Sequence, residues 1–250
     1  MRELLKNKDV VLVLTGCIVP NCGDNLKINN CEERLKQYKK SIEWYYINTP
    51  YRIVFCENSG YNIANYYCDK RDRIEILTYK SSEEGYDRSK GYKEMEILEY
   101  AYDNSEFIRD GKIFIKITGR LVLLNICRIV NYLLKKDKSF ICSYQNSTRP
   151  FSDCKFVFFT GEFWPILLSY KDKISNSNNF ERITYSAINE AGTKGIKFIY
   201  PPVLDRVDGV GGGTGVRYNK TVSEYFFLNI KHQIRRFFFK IKILPHITNE

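Results

Sequence analysis

The chain has 250 residues, 44% of them hydrophobic and 15% aromatic, with a formal net charge of +10. That composition can bury a sizeable core and excludes a disordered chain, while the charge points to anionic partners: nucleotide phosphates, nucleic acid or an acidic membrane surface. No apolar run reaches about 18 residues, which argues against a membrane-spanning helix.

Val10 to Leu14 reads as a first buried strand ending in Thr15-Gly16. Its apolar run is too short for the core of a signal peptide, so a cytosolic address is expected. Cys31 to Tyr46 reads as a helix with Leu35, Tyr38, Ile42 and Tyr45 on one face. Pro50 separates it from a strand at Arg52–Cys56, which exits into Glu57-Asn58-Ser59-Gly60-Tyr61, and a third strand follows at Arg73–Leu77. The stretch Tyr86 to Leu121 then holds a loop, a helix marked by Met95, Leu98 and Tyr102, and a strand through Ile113, Phe114, Ile115 and Ile117. Val122 to Lys135 reads as a helix. Two strands follow at Ser139–Cys142 and Cys154–Phe159, with helices at 161–169 and 180–191 and a last strand at Ile196–Tyr200. This alternation predicts an α/β fold with a mostly parallel central sheet flanked by helices.

Open α/β sheets bind ligands beyond the carboxyl ends of their strands. The polar exit Lys116, Thr118, Gly119 and Arg120 therefore stands where a phosphate is expected. Arginine can grip phosphate oxygens in bidentate fashion and lysine supplies a point charge. The glycine-rich run at 209–215 is no P-loop, because no Lys-Ser or Lys-Thr follows its last glycine. No D-x-D stands at a strand end, so a Mg2+ or Mn2+ site on paired carboxylates has no support and the cofactor question stays open. Eight cysteines occur with no C-x2-C spacing and only two histidines, which favours buried reduced thiols over zinc or disulfides. Residues 220–250 change character: phenylalanines and isoleucines interleave with Lys231, Arg235, Arg236, Lys240 and Lys242. That pattern predicts a basic amphipathic helical tail lying on an anionic membrane surface, outside a main domain of residues 1–219.

The segments VVLVLTGCIVPN, FCENSGY, SKGYKEMEILEYA, FIKITGRL, SDCKFVFF and INEAGTKG, in that order, resemble bacterial GT-A-type glycosyltransferases from capsule and lipopolysaccharide clusters. The likeness spans about residues 8 to 218. It implies a single GT-A-like (Rossmann-like) domain, a nucleotide-sugar donor, and a lipid-linked or oligosaccharide acceptor belonging to a growing surface glycan. It also implies an enzyme on the inner face of the cytoplasmic membrane. KITGR occupies the place where better-known relatives carry D-x-D, which leaves metal use and the stereochemical outcome open.

On that resemblance, Thr15 and Gly16 border the base and ribose, and Glu57, Asn58 and Ser59 hydrogen-bond them. Lys90 and Gly91 sit at a helix N-terminus that favours an anion. Lys116 and Arg120, with Thr118 and Gly119 beside them, neutralise the leaving phosphate. An inverting transfer also needs a carboxylate base, for which Asp153, Glu190 and Glu162 are the candidates, in that order. A nucleotidyltransferase making an activated sugar is the alternative enzyme. It ordinarily wants a glycine-rich loop after the first strand and a metal-binding aspartate, and neither is clear here. A non-catalytic nucleic-acid-binding module is the third reading. Against it, no RRM, KH or zinc pattern occurs, and nucleic acid is not expected as a partner.

Overall fold

The computed structural model describes residues 6–20, 26–81, 89–146, 149–211 and 215–240. Cys22, residues 86–88 of the central stretch, the middle of the glycine-rich run and the tail beyond 240 lie outside the described residues. Seven strands form one sheet: β1 (Val10–Gly16), β2 (Arg52–Glu57), β3 (Ile74–Thr78), β4 (Ile113–Thr118), β6 (Phe140–Gln145), β7 (Ser152–Thr160) and β8 (Lys197–Ile199). Their spatial order is β3-β2-β1-β4-β7-β6-β8. All described pairings are parallel except those of β7, which runs antiparallel to both β4 and β6. The expected α/β architecture with a mostly parallel sheet is therefore present.

Strand alternation divides the core into two layers. Val10, Leu12 and Leu14 face α1 (Cys31–Asn48) and α4 (Ile126–Leu133), together with Ile53, Phe55, Ile113, Ile115 and Ile117. Val11, Val13, Val54 and Phe114 face the other layer, made by α2 (Lys90–Asn104), α3 (Glu106–Asp110), α5 (Phe163–Leu168) and α6 (Phe180–Thr193). Strands buried on both faces read as continuous apolar runs, as VVLVL does. Asn30 caps α1 by accepting from the Glu33 amide, and Asn179 caps α6 by accepting from the Arg182 amide.

Two expected elements differ. Val122 and Leu123 do not start a helix but form a short strand, β5, antiparallel to β9 (Val207–Asp208), and α4 begins only at Ile126. Helical periodicity could not register this, because the Tyr45 hydroxyl reaches across 78 residues of sequence to accept from the Leu123 amide at 2.9 Å. On α2, Met95, Ile97, Leu98 and Ala101 are buried whereas Tyr102 is largely exposed, so the inward stripe is turned from the expected one. The seven described cysteines are free thiols, and burial pushes those of Cys56, Cys142 and Cys154 far up.

After β9 the chain forms α7 (Val222–Lys240), which packs on the segment 200–206. His232 is buried at its centre, stacked on Tyr200 and donating from Nε2 to the Pro201 carbonyl at 3.0 Å. Burial holds the His232 imidazole below its ordinary pKa, so a released helix takes up a proton more readily than a docked one. Docking is then strongest above about pH 6.5 and weakens as the pH falls through that value. Amide hydrogen exchange in α7, corrected for intrinsic rates, should accelerate between about pH 7.5 and about pH 5.5; a His232→Asn variant should lose that pH dependence.

Candidate active site

The chain order reverses at β1: β2 and β3 extend the sheet on one side, and β4 returns to the other. Crevices form at such switch points, beyond the carboxyl ends of the strands. Here a crevice of about 180 Å3 opens there, lined at its base by Thr15, Gly16, Asn58, Ser59 and Thr118. Lys90, Lys93 and Glu94 from α2, Arg120 after β4, and Cys17, Val19 and Pro20 after β1 complete it.

Backbone proximity shapes this base. The Gly119 amide donates to the Thr15 carbonyl at 3.0 Å, and a Cβ on Gly119 would lie 2.5 Å from that same oxygen. A Cβ on Gly16 would lie 2.5 Å from the Phe55 ring. Gly91 lies under the start of α6, where a Cβ would meet Phe180 at 2.9 Å. Gly91 and Gly119 do not line the crevice: each permits a close approach that sets its walls. From the opposite layer, the Arg34 guanidinium donates to the Cys17 and Ile28 carbonyls at 2.6 and 3.0 Å. The Tyr38 hydroxyl accepts from the Cys17 amide at 2.9 Å, so α1 fixes the exit of β1.

Glu57 corrects an expectation. It is fully buried, and its carboxylate accepts from the amides of Ile18 (2.8 Å), Ser59 (3.0 Å) and Tyr61 (3.0 Å) and from the Ser59 hydroxyl. Its oxygens are used in holding the loops after β1 and β2, and it does not face the crevice. Asn58 and Ser59 do line it. Asn58 is buried, donates to the Ser81 hydroxyl at 3.1 Å, and leaves its own Oδ1 without a partner among the described residues.

Lys116 is a second correction. Ile113, Ile115 and Ile117 occupy one face of β4, so Lys116 points into the other layer with Phe114. It is 1% exposed, ion-paired with Glu94, donates to the Cys154 carbonyl, and lies 5.3 Å from the Phe180 ring centre. Its charge is thus committed inside the protein. Glu94 in turn reaches the crevice, 3.3 Å from the Thr15 hydroxyl.

Four cations among the described residues border the crevice: Arg34, whose guanidinium is bonded to the Cys17 and Ile28 carbonyls, and Lys90, Lys93 and Arg120. Arg120 lies with its guanidinium 5.9 Å from the Tyr38 ring centre, makes a long contact to Gln37 at 3.5 Å, and has a buried Nε with no acceptor among the described residues. Lys90 is exposed at the first turn of α2, whose N-cap residue makes no side-chain cap bond among the described residues. That residue, Ser89, adopts φ +112° and ψ 158°, a conformation open to little but glycine, and its buried Oγ has no partner among the described residues. Strain of this kind persists at sites that use it, and uncapped amides at a helix start attract anions.

The three candidate bases separate by sheet polarity. Asp153 stands at the start of β7; because that strand is antiparallel, its start lies beside the carboxyl end of β4, on the crevice side. It is ion-paired with Lys155. Glu162 follows the end of β7 and accepts from the Ser139 hydroxyl at 2.6 Å, beside the amino end of β4. Glu190 is near the C-terminal end of α6, bonded to Lys194 at 2.6 Å, with its carboxyl held low by Lys194 and Tyr170. Both lie at the opposite edge of the sheet from the crevice, too remote to touch anything bound there. Glu181, not anticipated from sequence, sits in the first turn of α6. Burial pushes its carboxyl up, with Glu94 and Asp153 adding to the effect and Lys116 opposing it. Among the described residues no group of three or more histidine, cysteine, aspartate or glutamate side chains gathers to hold a metal ion. The nearest carboxylates, Glu94 and Asp153, each hold a lysine.

Sequence reading missed Lys93, Glu94, Arg34 and Tyr38 at the crevice. The spacing offered a signal: Lys90, Lys93 and Glu94 share one face of the first turns of α2, as Arg34 and Tyr38 do on α1.

No protein-family model matches the chain, and no curated protein matches its sequence. Solved structures with a similar layout include the inositol-1-phosphate CTP transferase from T. maritima, 11% identical, with a TM-score of 0.49 over 91% of this chain and 97% of that one. A putative nucleotide-diphospho-sugar transferase from Desulfovibrio desulfuricans G20 is 8% identical, with a TM-score of 0.48 over 77% and 79%. A glycosyltransferase involved in glycosylating the major capsid of PBCV-1 is 10% identical, with a TM-score of 0.41 over 76% and 81%. Likeness this distant is one of overall layout and leaves the chemistry to be read from the crevice.

Removing the Lys116 ammonium strands Glu94 beside a buried carbonyl. Lys116→Met should therefore cost about 3 kcal/mol in urea unfolding, the cost of leaving one partner of a buried pair alone. Lys116→Met combined with Glu94→Leu should recover part of the loss. Arg120→Ala, at the rim, should change stability by less than about 1 kcal/mol.

Proposed function

We propose that the chain is a glycosyltransferase that binds the nucleoside diphosphate of a nucleotide sugar in the switch-point crevice. The observation that carries this reading is the convergence of Arg120, Lys90, Lys93 and the start of α2 on one crevice. These side-chain cations and the positive end of a helix together suit a diphosphate, whose charge grows on the leaving group as the glycosidic bond breaks. Val19 and Pro20 beside Asn58 and Ser59 suit a base and ribose, with apolar surface for the ring and polar groups for its edges.

In this account Arg120 grips phosphate oxygens while Lys90 and Lys93 balance the departing charge. Lys116 acts one step removed, by fixing Glu94 and hence the first turns of α2. Asp153 is the proposed acceptor base, since it is the one sequence-derived candidate on the crevice side. The acceptor suggested by the sequence resemblance, a growing surface glycan, approaches from the β7 side, where Asp153 and Glu181 lie. The same cations also fit the triphosphate of a nucleoside triphosphate, so a nucleotidyltransferase remains the second reading. The apolar character of Cys17, Val19 and Pro20 after β1 favours the first, because a triphosphate wants a glycine-rich, amide-lined turn at that place.

Thermal-shift titration against nucleoside diphosphates and nucleotide sugars should give stabilisation with one nucleotide family, and Arg120→Ala should weaken it at least tenfold. Product analysis separates the two enzymes. Release of nucleoside diphosphate from a nucleotide sugar supports the transferase; release of pyrophosphate from a nucleoside triphosphate and a sugar phosphate replaces it with the alternative. Asp153→Asn should lower kcat about 100-fold or more with donor affinity kept. Unchanged turnover in that variant would remove Asp153 from the mechanism.

A further inference from the structure

Helix α7 is docked with its polar side inward. The Tyr225 hydroxyl donates to the Leu204 carbonyl at 3.0 Å, Asn229 Oδ1 accepts from the Leu204 amide at 3.0 Å, and Gln233 donates to the Pro202 carbonyl at 2.9 Å. Arg236 donates to the Tyr132 hydroxyl at 3.2 Å, and His232 is buried between them. These positions recur at helical spacing and use up the face that turns toward the protein.

The opposite face is apolar and open to solvent. Phe226 is 61% exposed, Phe227 65%, Ile230 44%, Ile234 52%, Phe237 59% and Phe238 38%. At 100° per residue these six fall within one arc of roughly 120°, centred opposite His232. Lys231 and Arg235 are exposed along one border of the arc and have no ion pair among the described residues. A soluble protein seldom leaves so many large apolar side chains contiguous unless something covers them.

We propose that this face of α7 seats on an anionic lipid surface, lying in its plane with the phenylalanines and isoleucines among the acyl chains and Lys231 and Arg235 at the headgroups. Charge decides the occupant. The cationic border matches anionic headgroups, whereas a second copy of the chain would bring cation against cation along most of the seam, Glu224 in the first turn being the one acid near it. Helix length and hydropathy agree with an in-plane position, since no helix of the described residues is long and apolar enough to cross a membrane. The docked face also explains how an exposed helix keeps its orientation: the bonds to residues 201–204 hold the arc outward before any lipid is met.

The test is co-sedimentation of the full chain with phosphatidylcholine vesicles, with and without about one-third phosphatidylglycerol, alongside two variants, Phe227→Ser/Phe237→Ser and Lys231→Glu/Arg235→Glu. The altered side chains are exposed, and an unchanged Tm certifies the fold. Expected is binding to anionic vesicles at least tenfold stronger than to neutral ones, reduced by salt and lowered at least tenfold in each variant. Equal binding to both vesicle types, variants that bind as well as the parent chain, or no vesicle binding would each overturn the proposal. A concentration-dependent dimer in analytical ultracentrifugation, lost in Phe227→Ser/Phe237→Ser and accompanied by no lipid binding, would assign the face to a second copy instead.

Discussion

One buried carboxylate governs the shape of the crevice. Glu57 ends β2 with no exposure to solvent, and amides from two separate loops converge on its oxygens. Hydrogen bonds from amides to an ionised acceptor are among the stronger ones a protein makes, and here they tie the loop after β1 to the loop after β2. The Asn58 amide bonds the Gly16 carbonyl and the Gly119 amide bonds the Thr15 carbonyl, so the ends of β1, β2 and β4 behave as one rim. Any ligand in the crevice then meets donors and cations already in position, with little to reorganise.

The α2 helix depends on that rim and adds to it. Its first turns overhang the ends of β1 and β4, and the Lys116–Glu94 pair anchors them from below. Gly91 lets α2 sit against the start of α6 without a side chain between. Apolar layers on both faces of the sheet supply the stability, while the crevice borders the one non-glycine residue at positive φ among the described residues, Ser89.

Much of the fold was legible because apolar runs and helical stripes are local. VVLVL, RIVFC and FIKIT announce their strands, and the 31–46 stripe announces α1. The site was legible in part: strand exits marked Thr15, Ser59 and Arg120. Direction was not. Nothing in SDCKFVFF says that its strand runs against its neighbours, so Asp153 and Glu162, nine residues apart, both stand as candidates. Lys116 was legible in principle, since alternation along β4 sends it into a layer rather than to a surface. Its partner Glu94, 22 residues earlier, becomes visible only when α2 packs on the sheet. For α7 the amphipathic pattern was plain but not which side docks. That depended on carbonyls of residues 201–204, which take donors from the helix's polar side.

The reversed direction of β7 has a practical side. Glu162, just past its end, and the Lys194-Gly195-Ile196 corner line another hollow, of about 450 Å3, at the opposite edge of the sheet, with Ser139, Pro165, Ile166 and Ser169. Gly195 sits there at φ +83° with open space around its Cβ position. That edge shares the rigid sheet with the crevice yet touches none of its residues. A surface tether attached there would hold the protein on a support with the crevice facing away.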